Sequence, residues 1–307
     1  MHPRYDLIRN HPHVNQSRAL TDRSKYIKPH IFILLTHFLV WNNIRADIVE
    51  NMASIQQRRV EAERHTILRE RCRVFQKVYW GWHARQSDKR VLPRAIDLMR
   101  RPEVEALITA GNEVPVTTAA FTAFTSQFAR WAAAWKAECD EKLRDLVRRS
   151  PAFADGIPTG VDPLSLARVV FTCTKCKNRS PSPENARVVP LYPTILTHDC
   201  LYEEVWESKM QDAFDRAAVA VSQTKNTFGK HTFWSCEPLE VDSWAMRADK
   251  IIAAFGRKPM TVTRDEMDTI GDARIYCYQC PLDSVYHRNV MTWRHAVSPS
   301  CQSGSPL

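Results

Sequence analysis

Aromatic and aliphatic positions recur at helical spacing most clearly in the middle of the chain. Phe121, Phe124, Phe128, Trp131 and Trp135 follow one another at intervals of 3, 4, 3 and 4, and Leu143 and Val147 continue the same face. That period predicts one helix from about Thr118 to Val147 with a buried stripe. Upstream, residues 45–86 predict a second long helix. Met52, Ile55, Ile67, Leu68, Val74, Phe75, Val78 and Trp82 lie near one face, and Arg58, Arg59, Arg64, Arg69, Arg71 and Arg73 fall mostly elsewhere. Pro102-Glu103 opens a short helix through Ile108, where the missing proline donor is not needed. Together these segments define a helical domain over 45–150.

Beyond Ser150 the period changes. Residues 151–161 have the composition of a linker, and Asp162-Pro163 forms an N-cap followed by proline. Short apolar runs at Val169–Cys173, Ala186–Val189 and Ile195–Leu196 predict strands, and Pro190 confines the second to a sheet edge. A helix is expected from about Leu201 to Val221, and residues 222–245 show no period. Asp249–Phe255 predicts a helix stopped by Gly256, and Thr263-Arg-Asp-Glu266 is a capping box. Arg274–Cys277 reads as a strand and Val290–Val297 as a last helix, with a flexible tail at 298–307. The expected fold class is α+β: an N-terminal helical bundle, then a zinc-ribbon-like module of short antiparallel strands over 162–297 with a long helical insertion.

Residues 1–44 read as a basic, largely disordered leader. Its apolar run, Ile31–Trp41, is about half the ~20 residues that span a bilayer, and His37 interrupts it, so no membrane association is expected. The net charge of +9 sits in the N-terminal third, where the first 100 residues hold 19 basic and 9 acidic side chains. A solvated helix surface accounts for most of this charge, with nucleic-acid binding the alternative. Only 8 glycines are present, and the chain carries no phosphate loop, dinucleotide fingerprint, nucleophile elbow or His-Glu-x-x-His.

Nine cysteines, an odd number, argue against a disulfide framework and for a reducing compartment, cytoplasmic or nuclear. Two Cys-x-x-Cys turns stand out: Cys173-Thr-Lys-Cys176 and Cys277-Tyr-Gln-Cys280. Each follows a matching strand pattern, Ala167-Arg168-Val169 and Ala273-Arg274-Ile275. Four thiolates form the ligand set of a closed structural zinc site. Yet 100 residues separate the pairs, far more than in a compact ribbon. His198 and Cys200 supply a local alternative 22 positions after Cys176, since residues two apart in a strand face one side. His295 is a weaker candidate ligand. Cys72, Cys139, Cys236 and Cys301 read as buried or bystander thiols. In neither pair is a helix expected directly after the first cysteine, where it would lower the thiol pKa, so a redox dithiol is disfavoured. A catalytic zinc would need an open position; with His198 completing three ligands, Glu203 or Glu204 would act as base. The closed set favours a non-enzymatic role.

Several stretches together resemble a family of F-box-like proteins from mushroom-forming fungi. They are Arg59–Trp82 with its Phe-Gln-Lys-Val-Tyr, Val169–Cys176, Pro193–Cys200, Pro259–Asp268, Asp272-Ala-Arg274, Cys277–Cys280 and Trp293–Val297, spread over about four fifths of the chain. The resemblance implies a protein-interaction module, and an adaptor that recognises substrates for a ubiquitin ligase. No Leu-Pro-x-Glu opening of an F-box occurs in residues 1–58. Trp206, Trp234 and Trp244 are candidate aromatic anchors of such a surface, with packing in a satellite core the favoured alternative. The alternative is a nucleic-acid-binding zinc-ribbon protein that reads phosphates with the arginines of 58–77.

Overall fold

A computed structural model of the chain describes residues 29–89, 91–178, 191–202, 212–222, 232–241, 245–270, 275–276 and 290–297. The expected strands at Ala186–Val189 and Arg274–Cys277 lie wholly or partly outside this set. The chain divides into two units, Met1–Ala62 and Glu63–Leu307. Residues 151–161, expected as a linker, fall within the second unit.

The first unit holds the N-terminal part of helix α1 (Pro29–His83), which starts well before residue 45. Every side chain from Phe38 to Ala62 is exposed. Met52 and Ile55, expected on a buried face, are 66% and 47% exposed. Within this unit no other described element packs on them.

In the second unit the rest of α1 is joined by α2 (Ala95–Met99), α3 (Pro102–Thr109), α4 (Thr118–Thr122) and α5 (Phe128–Arg149). Leu68, Cys72, Phe75 and Tyr79 from α1 meet Phe121, Phe128 and Trp131. Phe75 packs edge-on against both Phe121 and Phe128, at 5.5 and 5.8 Å between ring centres, the geometry aromatic quadrupoles favour. The predicted stripe is buried, but on two helices rather than one. The Thr122 hydroxyl donates to Thr118 O and the Thr125 hydroxyl to Thr122 O, and a 3-10 turn at Thr125–Gln127 interrupts the helix. Such back-bonding competes with the regular ladder.

Two α1 arginines close the end of α3. Arg71, buried, donates from both Nη atoms to Ile108 O, Ala110 O, Gly111 O and Val114 O, at 3.0, 2.6, 2.8 and 2.7 Å. Arg64 reaches Thr109 O, Ala110 O and Asn112 Oδ1. The carbonyls that a helix leaves unsatisfied at its C-terminus are thereby met by cations, which also suit the dipole there.

A second core lies under the C-terminal half of α5. Trp135, Leu143 and Val147 pack on Phe153, Leu164, Val169, Phe171, Leu196 and Trp234. Asp162 caps a 3-10 turn at Pro163–Ser165 by accepting from Leu164 N–H. A third core gathers Val170, Ala248, Ile252, Val262, Met267 and Trp293. It is built on α8 (Ala245–Ala254) and α9 (Arg264–Asp268), the latter started by the expected capping box. Gly256, at φ 68, stops the α8 segment.

Among the described residues strands are few and short. β1 (Thr172–Cys173) pairs antiparallel with β2 (Leu239–Glu240), and β3 (Ile275–Tyr276) with β4 (Val290–Met291). Between them in sequence lie α6 (Thr174–Asn178) and α7 (Ala213–Val221); α10 (Trp293–Ala296) closes the described chain. The fold is thus α+β at a coarse level, helical with small antiparallel pairs. Three expectations change. Ile195–Leu196 sits in a 3-10 turn, Thr194–Thr197, where the Thr194 and Thr197 hydroxyls bond back to Leu191 O and Thr194 O. The helix ending at Val221 starts at Ala213, where Asp212 caps it, and residues 203–211 of the expected span lie outside the described set. Val290 and Met291 are strand, and helix starts after them.

Candidate metal centre

Cys173 ends β1, held by the register Cys173↔Leu239. Thr174 then donates its N–H and its hydroxyl to Pro238 O, at 2.8 and 3.1 Å, and α6 begins at that residue. Contrary to expectation, a helical turn does follow Cys173 directly. Three residues on, the first turn of α6 brings Cys176 back beside Cys173, to whose sulfur its backbone N–H donates. The other half comes from a turn and not an extended strand. His198 leaves the Thr194–Thr197 turn in an extended conformation, and Asp199–Leu201 starts a second 3-10 turn, closed by Leu201 N–H to His198 O at 3.0 Å. This reversal, rather than strand alternation, points His198 and Cys200 the same way.

Cys173, Cys176, His198 and Cys200 converge with all four ligand atoms within 4.8 Å of one another. Cys176 Sγ lies 3.3 Å from His198 Nε2 and 3.6 Å from Cys200 Sγ. A tetrahedral cation with metal–sulfur bonds of about 2.3 Å and metal–nitrogen bonds of about 2.0 Å sets edges of about 3.8 Å and about 3.5 Å, close to both separations. Cys173 and Cys200 are buried, while Cys176 and His198 are half-buried. These four residues could hold a metal ion.

The electrostatics favour a cation. Burial disfavours a thiolate at Cys173, but hydrogen bonds from the His198 ring and the Cys176 backbone N–H outweigh it and bring this thiol down to about 7. Burial, reinforced by the Cys173 and Cys200 sulfurs, pushes Cys176 up to about 12. One sulfur ionises readily and its neighbour then resists. A divalent ion removes that conflict, because coordinated thiols are deprotonated outright.

A segment with no sequence period braces both halves. Trp234 Nε1–H donates to Leu196 O at 3.0 Å, Ser235 N–H donates to Leu201 O at 2.8 Å, and Leu239 pairs with Cys173. Trp234 is therefore buried structure and not an exposed anchor. Asp97 fixes this brace to α2, accepting from Trp234 N–H and from Arg94 N–H, at 3.0 and 2.9 Å. Burial pushes Asp97 up to about 6 despite those bonds. Asp199, between the two ligands, pairs with Arg94 at 2.6 Å, and the Arg94 guanidinium lies 3.7 Å over the Tyr202 ring. Sequence reasoning missed Asp97, Arg94 and the 232–240 brace. The only local signal was a Trp-Ser-Cys-Glu-Pro run at 234–238 without period.

Cys277 and Cys280 lie outside the described residues, as do Trp206, Trp244, Glu203, Glu204, Cys301 and the His295 side chain. Cys72 and Cys139 are buried in the cores, and Cys236 is half-buried beside the second one. No described helix is long and apolar enough to cross a membrane. No protein-family model matches the chain, and neither the curated proteins nor the solved structures contain a significant match.

Proposed function

We propose that the chain is a non-enzymatic protein-interaction module whose second unit is organised by one structural zinc ion on Cys173, Cys176, His198 and Cys200. The observation that carries this reading is the convergence of three sulfurs and one imidazole nitrogen within 4.8 Å. Four protein donors fill a tetrahedral shell, so no position is left for water or substrate, which is the mark of a structural and not a catalytic zinc. The role as substrate-recognition subunit of a ubiquitin ligase rests on the resemblance to the F-box-like family, and fold alone does not carry it. The nucleic-acid alternative draws on fewer free arginines than the sequence offered. Arg64 and Arg71 are committed to the carbonyls after α3, and Arg73 pairs with Glu70 at 3.1 Å.

Elemental analysis of the purified full chain tests the site. One zinc per chain is expected, kept by the double variant Cys277→Ala/Cys280→Ala and lost in Cys176→Ser and in His198→Ala. Absence of metal from the wild-type protein, or its loss from the double variant alone, would overturn the assignment. Partner capture then separates the functional readings: retention of a protein partner through high salt supports the module, and steep salt-dependent retention on DNA or RNA opposes it.

A further inference from the structure

We propose that residues 38–55 of α1 form an antiparallel, two-fold contact with the same segment of a second copy of the chain. Trp41, Ile44, Ile48, Met52 and Ile55 are between 38% and 66% exposed, and Phe38 and Val49 beside them are 60% and 59% exposed. At helical spacing the five fall on one face. In proteins most helical stability comes from packing an apolar face, and no described residue of the first unit covers this one.

The spacing of the face selects the occupant. The intervals between the five positions are 3, 4, 4 and 3, a palindrome about Ile48. A two-fold axis through Ile48 therefore lays Trp41 against the partner copy's Ile55 position and Ile44 against its Met52 position, large beside medium in each layer. A self-complementary patch of this kind is what an isologous dimer requires. Charge is sparse: within 38–55 the charged residues are Arg45, Asp47 and Glu50, so little repulsion opposes the approach of two copies. The area also suffices. Half-exposed side chains of these sizes contribute on the order of 1,000 Å² across two copies, the threshold of a specific interface.

Sedimentation of the full chain tests the contact. A mass of twice 35.4 kDa is expected for the wild type and a single mass for Ile48→Glu. Because the position is exposed, the variant should keep the wild-type melting curve of the second unit. Orientation is read from charge pairs: Ile44→Lys with Met52→Glu in one chain should dimerise at least about tenfold more tightly than Ile44→Lys with Met52→Lys, as facing opposite charges require. A wild-type monomer at a concentration of about 100 μM would overturn the proposal. So would a dimer that survives Ile48→Glu, equal dimerisation of the two double variants, or a monomer that sediments with phosphatidylserine vesicles through this face.

Discussion

Replacing Arg71 with methionine removes one guanidinium and keeps most of the stem. Four carbonyls lose a donor: Ile108 O, Ala110 O, Gly111 O and Val114 O. Ala110 O keeps its bond from Arg64 at 2.8 Å. Gly111 O and Val114 O are part-buried and recover some solvation from water. Ile108 O, in the buried bond, does not. Each bond from a charged donor is worth about 1.5–3 kcal/mol, and an orphaned buried acceptor costs about 1–3 kcal/mol. Against this, burial, with Arg64 adding repulsion, holds the Arg71 pKa below its usual value, so the native state already bears the cost of a desolvated cation. Removing that cost offsets part of the loss. The net expectation is a destabilisation of about 3 kcal/mol, or a fall in melting temperature of roughly 6–12 °C for a unit of this size. Arg71→Lys should fall between, because one ammonium cannot span four acceptors. Urea unfolding of the purified protein, followed by helical circular dichroism, is the assay. A midpoint for Arg71→Met within about 0.5 kcal/mol of wild type, a surface-like value, would refute the argument and return Arg71 to the pool of free charge.

Asp97→Asn should cost about 1–3 kcal/mol, because an amide can accept only one of the two backbone N–H bonds and sets its own N–H against the other. Its pH dependence has a definite sign. Asp97 titrates near 6 in the fold, above the 3.8 reference, so this group makes wild type more stable as pH falls from about 6 towards 4. The gap between wild type and Asp97→Asn in urea midpoint should widen between pH 7 and pH 5; a constant gap would contradict it. Trp234→Phe deletes the bond to Leu196 O and should release zinc to a chelator about tenfold faster, as loss of support around a metal site does. An unchanged release rate would remove the 232–240 segment from the site.

The parts of this fold that were legible in the sequence are those specified by nearby residues. The stripe Phe121, Phe128, Trp131 and Trp135 is buried as its period predicts, and the Thr263–Glu266 box starts a helix. The break at Thr125 was not legible, because Thr122 and Thr125 reach carbonyls three and four residues back without disturbing the hydrophobic period. Met52 and Ile55 mark a different limit. Periodicity reports that a helix has an apolar face and not which body covers it. At the metal centre, Cys173 and Cys176 could be read from their spacing, and His198 and Cys200 only as one alternative. What brings these two pairs together is Trp234, Ser235 and Leu239, whose bonds run to Leu196, Leu201 and Cys173. Those contacts span 34 to 66 positions and leave no trace in a local window.

The same arrangement explains why a metal here would act on folding and not on chemistry. The segments that carry the ligands are a two-residue strand, a five-residue helix and 3-10 turns of four and three residues. Each is shorter than the nucleus that makes a helix or a sheet stable by itself. Their side chains reach the second core, but Cys173 and Cys176 on one side and His198 and Cys200 on the other face each other with polar atoms, where no hydrophobic burial compensates the desolvation. A cation converts that unfavourable cluster into four bonds formed only when both segments are in place, so its binding free energy is folding free energy for this region. The first core, from Leu68 through Trp131, contains none of these ligands and is closed by the Arg71 cap. Stability is therefore divided within one unit: a helical half held by aromatic packing and charge-assisted caps, and an irregular half whose short segments a metal on the ligand set would lock together.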